Sequence, residues 1–277
     1  MTIKTGFIGL GNQGGAIAER MLAQGVKVAV WARRPETMGP FVEKGATTAA
    51  SPAALGREQR VVGVCVGDDN DVRSVVLGDN GVLAGMARGG LILIHSTVAP
   101  ATVIELEKLA AEKGVRLLDA PVSGGARGAL AGTMTVMVGG DADVLEEARP
   151  QLETFAASIP HLGAVGSGQG LKLLNNALCY GNAVMGVIAL ETAEKLGMDR
   201  KIAGDIMAIS SGQSNGLSLV VDEDRLRHFS TSSAPGKDVR LFLDALKGAG
   251  LPDNELATAV STLTERIRSY AERVLDN

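Results

Sequence analysis

Aromatic residues are scarce: one Trp, two Tyr and five Phe in 277 residues. That is too few for the stacking platforms by which proteins hold single-stranded nucleic acid. Charge of one sign is lacking as well. Lys and Arg number 27 against 31 Asp and Glu, a formal net charge of −4, so no global positive charge holds the chain to nucleic acid or to an anionic membrane. The two cysteines, Cys65 and Cys179, lie far apart inside apolar runs. Their spacing fits neither a disulfide framework nor a zinc site, and buried thiols in a reducing, cytoplasmic compartment are expected. His95, His161 and His228 show no metal spacing and read as structural, so no metal is expected. Met1–Leu10 is apolar but short and runs into glycines without a small-residue cleavage site, so no targeting segment is read there. Nor is there a clean membrane span: the most apolar stretch, Leu171–Leu190, carries Lys172, Asn175, Asn176 and an internal Gly181, and reads as a buried helix.

Apolar residues make up 45%, enough for a sizeable core, and there are 36 glycines, well above the usual share of ~7%. The length suits one large domain or two smaller ones. Over the first 160 residues or so, two patterns alternate. Short β-branched runs fall at Ile3–Gly9, Val26–Trp31, Arg60–Val66, Gly90–His95, Arg116–Asp119 and Thr133–Val138. Helical periodicity fills Gly11–Gln24, Pro35–Lys44, Asp69–Leu77, Pro100–Lys113 and Asp141–Phe155. This alternation predicts an α/β domain, a mostly parallel, doubly wound sheet with helices on both faces. After Gly170 the strand signal stops. A helix of about 30 residues is predicted over 166–195, bridging two domains, and further helices over Arg200–Ser210, Asp238–Gly248 and Asn254–Leu275. The break at Gly163–Ser167 divides a domain of residues 1–163 from an all-α domain of residues 164–277.

Three motifs carry chemistry. Gly9-Leu10-Gly11-Asn12-Gln13-Gly14 closes the first strand and opens the first helix. In that setting a GxGxxG turn serves a dinucleotide pyrophosphate, which sits on the unpaired N–H groups of the helix start. The position about 20 residues on, where an acidic residue would hold a ribose 2′-OH, is Arg33, followed by Arg34. Two guanidiniums suit a 2′-phosphate, hence NADP(H) in preference to NAD(H); solvated surface arginines are the plainer alternative. Asp119-Ala120-Pro121-Val122-Ser123-Gly124-Gly125 follows another strand. Ser123 with the amides of Gly124 and Gly125 forms either an anion-binding concavity or simply a tight loop. Lys172 and Asn176 share one face of the long helix at i and i+4. A lysine among leucines is paired, functional, or snorkelling to solvent.

With Lys237-Asp238, Gly128 and Gly132-Thr133 added, these segments resemble the β-hydroxyacid dehydrogenase family over nearly the whole chain. The family includes 3-hydroxyisobutyrate dehydrogenases, tartronate semialdehyde reductases and glyoxylate/succinic semialdehyde reductases. The resemblance implies a Rossmann-type domain, an interdomain helix and a helical domain that completes the substrate site and makes a homodimer or homotetramer. It implies that Lys172 is the catalytic lysine and that Ser123, Gly124 and Gly125 meet the carboxylate of a small substrate. By the same resemblance Asn176 and Lys237 complete that site, with Lys237 also near the cofactor, and Ser96-Thr97 lies beside the nicotinamide. The reaction implied is hydride transfer between NADP(H), with NAD(H) as the other dinucleotide, and a β-hydroxy acid or its semialdehyde. The chain departs from the family pattern in three places: Gln13 replaces a methionine, Gly67-Asp68-Asp69 replaces Leu-Pro-Asp/Asn, and Ile94 replaces an acid. Two alternatives remain: an imine reductase of the same fold, which usually lacks Lys172, and a dinucleotide-binding regulator without turnover, which has no need of it.

Overall fold

The computed structural model describes residues 4–251 and 254–275. The chain forms two compact units, Met1–Lys172 and Leu173–Asn277. In the first, six strands make one sheet: β1 (Thr5–Ile8), β2 (Val28–Trp31), β3 (Thr47–Thr48), β4 (Val61–Val64), β5 (Leu91–Ile94) and β6 (Arg116–Asp119). Their order is β3-β2-β1-β4-β5-β6, and every pairing is parallel. The period of two along each strand divides the core. Phe7, Val30, Leu91, Leu93 and Leu118 face one side, with Ile17 and Met21 of the first helix (Asn12–Ala23) in the same cluster. Ile8, Ala29, Val62, Val64, Ile92, Ile94 and Leu117 face the other, clustered with Val72, Val76, Val103 and Leu106. Strands buried on both faces read as continuous apolar runs, which is why the sequence reveals them.

The expected strand over Thr133–Val138 exists but belongs to a second, three-stranded sheet of β7 (Val122–Ser123), β8 (Met134–Val136) and β9 (Ala156–Ser158). β7 pairs with β8 antiparallel, and β8 with β9 parallel. The two sheets meet at Asp119, whose N–H donates to Gly139 O and whose carbonyl accepts from Gly139 N. Ile3, the expected start of the first strand, lies outside the described residues. The segment Pro35–Lys44 divides into a 3₁₀ turn (Pro35–Met38) and a short helix (Gly39–Glu43).

The long helix runs Ser167–Lys195. Among the described residues it is the one helix long and apolar enough to cross a membrane. Its Leu173, Val184, Val187 and Leu190 instead pack in the core of the second unit with Leu217, Val220, Phe242, Ile267 and Tyr270. The helix expected over Asn254–Leu275 is two, Glu255–Ser261 and Leu263–Leu275. Between them the Thr262 hydroxyl donates to Ala259 O at 3.1 Å, a back-bond of the kind that bends helices. The helix expected from Asp238 begins earlier, at Ala234 with Pro235 in its first turn.

His95, at the end of β5, is buried. Its ring stacks on Phe7 (centroids 5.9 Å apart) and meets the Phe155 ring edge-on. Nδ1 lies 2.8 Å from Ala120 O, so the neutral ring carries its proton on Nδ1 and donates it there. Burial pushes its pKa down to about 4. The folded-state value lies below the unfolded one, so the unfolded chain binds the extra proton as pH falls from about 6.5 toward 4. Stability present above pH 6.5 is therefore lost on acidification, by up to about 3 kcal/mol from this residue. Urea denaturation from pH 7.5 to 4.5 should show this loss, and His95→Asn, which keeps a donor for Ala120, should show a flatter pH dependence. Equal slopes for both proteins would contradict it.

Candidate functional site

In a parallel sheet all the carboxyl ends lie at one edge, where ligands bind. β1 ends there in the glycine turn. Gly9 has φ +93°, and a Cβ on it would run into Cys65 O; a Cβ on Gly14 would run into Gly9 O. The protein's own packing therefore requires both glycines. Gly11 is different. Its backbone is ordinary (φ −70°, ψ −171°), and a Cβ there would meet nothing within 4 Å. The glycine leaves open space in front of a twelve-residue helix with no acidic residue in its first turn. A backbone cradle that a side chain would fill, facing a helix start, fits a pyrophosphate. Leu10 and Gln13 are half-buried around it, and Asn12 is exposed.

Beyond β2, Arg33 and Arg34 are exposed. The Arg33 guanidinium is 82% exposed and pairs with Asp71 at 3.1 Å, a partner 38 residues away that spacing does not reveal. The departure Gly67-Asp68-Asp69 has local work. Asp68 caps the helix Asp69–Leu77 by accepting from Asp71 N at 2.9 Å. Asp69 accepts from Ala99 N at 3.0 Å and from the Thr102 hydroxyl at 2.5 Å, tying the turns after β4 and β5 together. Ser96 is buried, its hydroxyl accepting from Val66 N at 2.7 Å, and Thr97 beside it is half-buried.

Asp119 ends β6 fully buried. Its two carboxylate oxygens accept from Gly166 N and Gln169 N, each at 2.8 Å. Burial pushes its carboxyl pKa up, against the backbone N–H groups that favour the anion. The negative end complements the positive start of the long helix and fixes where Lys172, buried on that helix, sits. Ser123, half-buried, ends β7 and leads into Gly124 (φ +128°) and Gly125 (φ +62°), a turn open only to glycine.

In the second unit a single carboxylate gathers the other expected residues. Asp238 is buried, and its Oδ2 accepts from Asn176 Nδ2 at 2.8 Å and from the Tyr180 hydroxyl at 3.1 Å. The Lys237 ammonium stands 3.5 Å from its Oδ1. Burial, then the Asp238 charge, pushes the Tyr180 hydroxyl far above its ordinary value, so it remains a donor. Sequence reasoning named Asn176 and Lys237 but missed Tyr180, and it missed Asp119 and Gln169 in the first unit. Tyr180 lies two helical turns past Lys172, the one signal that could have found it. Among the described residues no cluster of His, Cys, Asp and Glu could hold a metal ion.

Two family models match. Residues 4–163 fit the NAD binding domain of 6-phosphogluconate dehydrogenase, and residues 166–276 fit the NAD-binding domain of NADP-dependent 3-hydroxyisobutyrate dehydrogenase. A 3-hydroxyisobutyrate dehydrogenase of Pseudomonas aeruginosa is 39% identical over 219 residues, 77% of this chain and 72% of its own length. A solved 3-hydroxyisobutyrate dehydrogenase of Mycobacterium tuberculosis, with L-serine, is 28% identical with a TM-score of 0.81, covering 100% of this chain and 95% of that one. An imine reductase of Myxococcus stipitatus, 19% identical with a TM-score of 0.68 over 98% of this chain and 99% of its own, shares the fold alone.

The contrast between Gly11 and Gly14 is testable without knowing the substrate. Gly11→Ala should change folding stability by less than about 1 kcal/mol yet weaken nicotinamide dinucleotide binding by roughly tenfold or more. Gly14→Ala should lose about 1–3 kcal/mol of stability from the forced contact. Urea denaturation and NADPH fluorescence titration of both variants check this. A Gly11→Ala protein that unfolds as readily as Gly14→Ala would show that packing, not a ligand, keeps Gly11 small.

Proposed function

The chain belongs to the 3-hydroxyisobutyrate dehydrogenase family of NAD(P)-dependent oxidoreductases, and from that membership we propose that it interconverts a small β-hydroxy acid and its semialdehyde, with NADP(H) preferred over NAD(H). The observation that carries this reading is a buried lysine, Lys172, on a helix whose start is fixed by the buried carboxylate of Asp119. A bound nicotinamide supplies or takes the hydride. Lys172 moves the proton: its ammonium donates to the carbonyl oxygen in reduction, and the neutral amine accepts the alcohol proton in oxidation. The Ser123 hydroxyl and the Gly124 and Gly125 amides take the substrate carboxylate. Asn176 and Lys237 hold the rest of the substrate, and the Ser96-Thr97 turn borders the nicotinamide.

NADP(H) preference is assigned to Arg33, helped by Arg34. The Arg33–Asp71 pair is exposed and of little energetic consequence, so the guanidinium can turn to a 2′-phosphate at small cost. The matching family model is described as NADP-dependent, which supports the same choice. Cys65 and Cys179, whose spacing fits no disulfide framework, accord with a cytoplasmic enzyme. Exposed Leu174, Leu178, Met185, Ile202, Ile206 and Ile209 favour a homodimer or homotetramer.

Following NADPH and NADH oxidation with C3–C4 semialdehydes and cyclic imines, and NADP⁺ reduction with hydroxy acids including L-serine, tests the reading. Turnover of imines alone, or none at all, would refute it. Lys172→Ala should lower kcat by roughly 10²–10⁴-fold while leaving dinucleotide Kd unchanged, and wild-type alcohol oxidation should speed up with rising pH. Near-normal turnover in the variant would remove Lys172 from the chemistry. Arg33→Ala should weaken NADP(H) by about 1.5–3 kcal/mol and NAD(H) hardly at all, as isothermal titration with both dinucleotides would reveal; equal losses would dismiss the arginine's role.

A further inference from the structure

Gln169 is fully buried in the first turn of the long helix. Its side-chain amide reaches the turn that follows β5. Nε2 donates to Ser96 O at 2.9 Å, and Oε1 accepts from Val98 N at 3.1 Å. Those two backbone groups flank Thr97, so one amide grips the chain on both sides of that residue. The backbone N–H of Gln169 meanwhile donates to Asp119 Oδ2, and the Ser96 hydroxyl accepts from Val66 N. The turns after β4, β5 and β6 and the start of the helix are thus joined by one chain of hydrogen bonds, buried at Gln169 and Asp119. Leu or Met would fill the space but offers no paired donor and acceptor; the carboxamide offers both at fixed separation. Lys172 follows Gln169 by three residues, about one helical turn.

We propose that Gln169 is a positioning residue, which couples the Ser96-Thr97 turn to Lys172 and so fixes the nicotinamide-side backbone relative to the proton-transferring amine. The inference rests on the reading of Lys172 and Ser96-Thr97 given under Proposed function. A loss of registry of about 1 Å between reacting groups can cost on the order of a hundredfold in rate, whereas substrate affinity resides in other residues.

Two variants separate positioning from packing. Gln169→Leu should lower kcat for aldehyde reduction by roughly 10- to 100-fold at every pH, with KM for the carboxylate substrate changed by less than about threefold. Gln169→Glu keeps the shape. Its neutral carboxyl can still donate to Ser96 O and accept from Val98 N, but the anion cannot donate. Activity of Gln169→Glu, relative to wild type at the same pH, should be low at pH 8 and recover toward pH 5.5. Circular dichroism and NADPH binding confirm that each variant is folded where it is assayed, and if Gln169→Leu does not fold, the Gln169→Glu profile decides alone. A Gln169→Leu enzyme with kcat within about threefold of wild type, or a Gln169→Glu profile parallel to wild type, would overturn the proposal. If wild type turns over none of the substrates, the functional reading has failed separately, and backbone amide exchange then tests the coupling. NADPH should slow exchange at Val98 and across residues 170–174 in wild type, but only at Val98 in Gln169→Glu at pH 8. Protection across 170–174 that persists in that variant, or is missing from wild type, would refute it.

Discussion

The first unit is organised around the buried carboxylate of Asp119. Its backbone joins the six-stranded sheet to the second, smaller one through Gly139, and its side chain accepts from Gly166 N just before the long helix and from Gln169 N in its first turn. A buried anion without partners would cost several kcal/mol; here backbone donors and the helix dipole supply the compensation. The glycine spacing at the helix start follows from the same contact. A Cβ on Gly168 would meet Met137 O and come within 2.8 Å of Asp119 Oδ2, so nothing larger fits between the strand and the helix it anchors. The position of Lys172 depends on this junction.

The two units satisfy their buried polar groups differently. In the first, the side chains of Asp119, His95 and Gln169 meet backbone atoms: N–H groups for Asp119, Ala120 O for His95, Ser96 O and Val98 N for Gln169. Backbone partners do not change with sequence, so the geometry at this sheet edge is fixed by the fold. In the second, Asp238 is held by the side chains of Asn176, Tyr180 and Lys237. That arrangement can be retuned one side chain at a time.

What was legible in the sequence followed from range. Strands of four residues buried on both faces, such as Leu91–Ile94, stand out as apolar runs, and the glycine turn declares itself by its spacing between a strand and a helix. The two-residue strands β3 and β7 have no period to detect. The short helix Gly125–Ala131, glycine- and alanine-rich, reads as a loop until its surroundings are known. The partners of Asp119 lie 47 and 50 residues on, and those of Gln169 lie 71 and 73 residues back. No spacing rule reaches that far. The expected carboxyl-edge residues Arg33, Ser96 and Ser123 were named from motif and resemblance, but the Asp71 and Val66 contacts that hold the first two emerged only with the fold.

The separation of Asp119 from its helix partners also bears on the order in which the chain is made. Domains tend to fold as they emerge during synthesis, N-terminal part first. When β6 has been made, the donors for its terminal carboxylate do not yet exist; they arrive with Gly166 and Gln169. A nascent chain stopped at residue 163, where the first family match ends, would hold all six strands of the main sheet and still have to bury an unmet negative charge or leave that edge unclosed. The smallest independently folding portion of the N-terminal half therefore extends past the last strand and takes in the opening turn of the long helix.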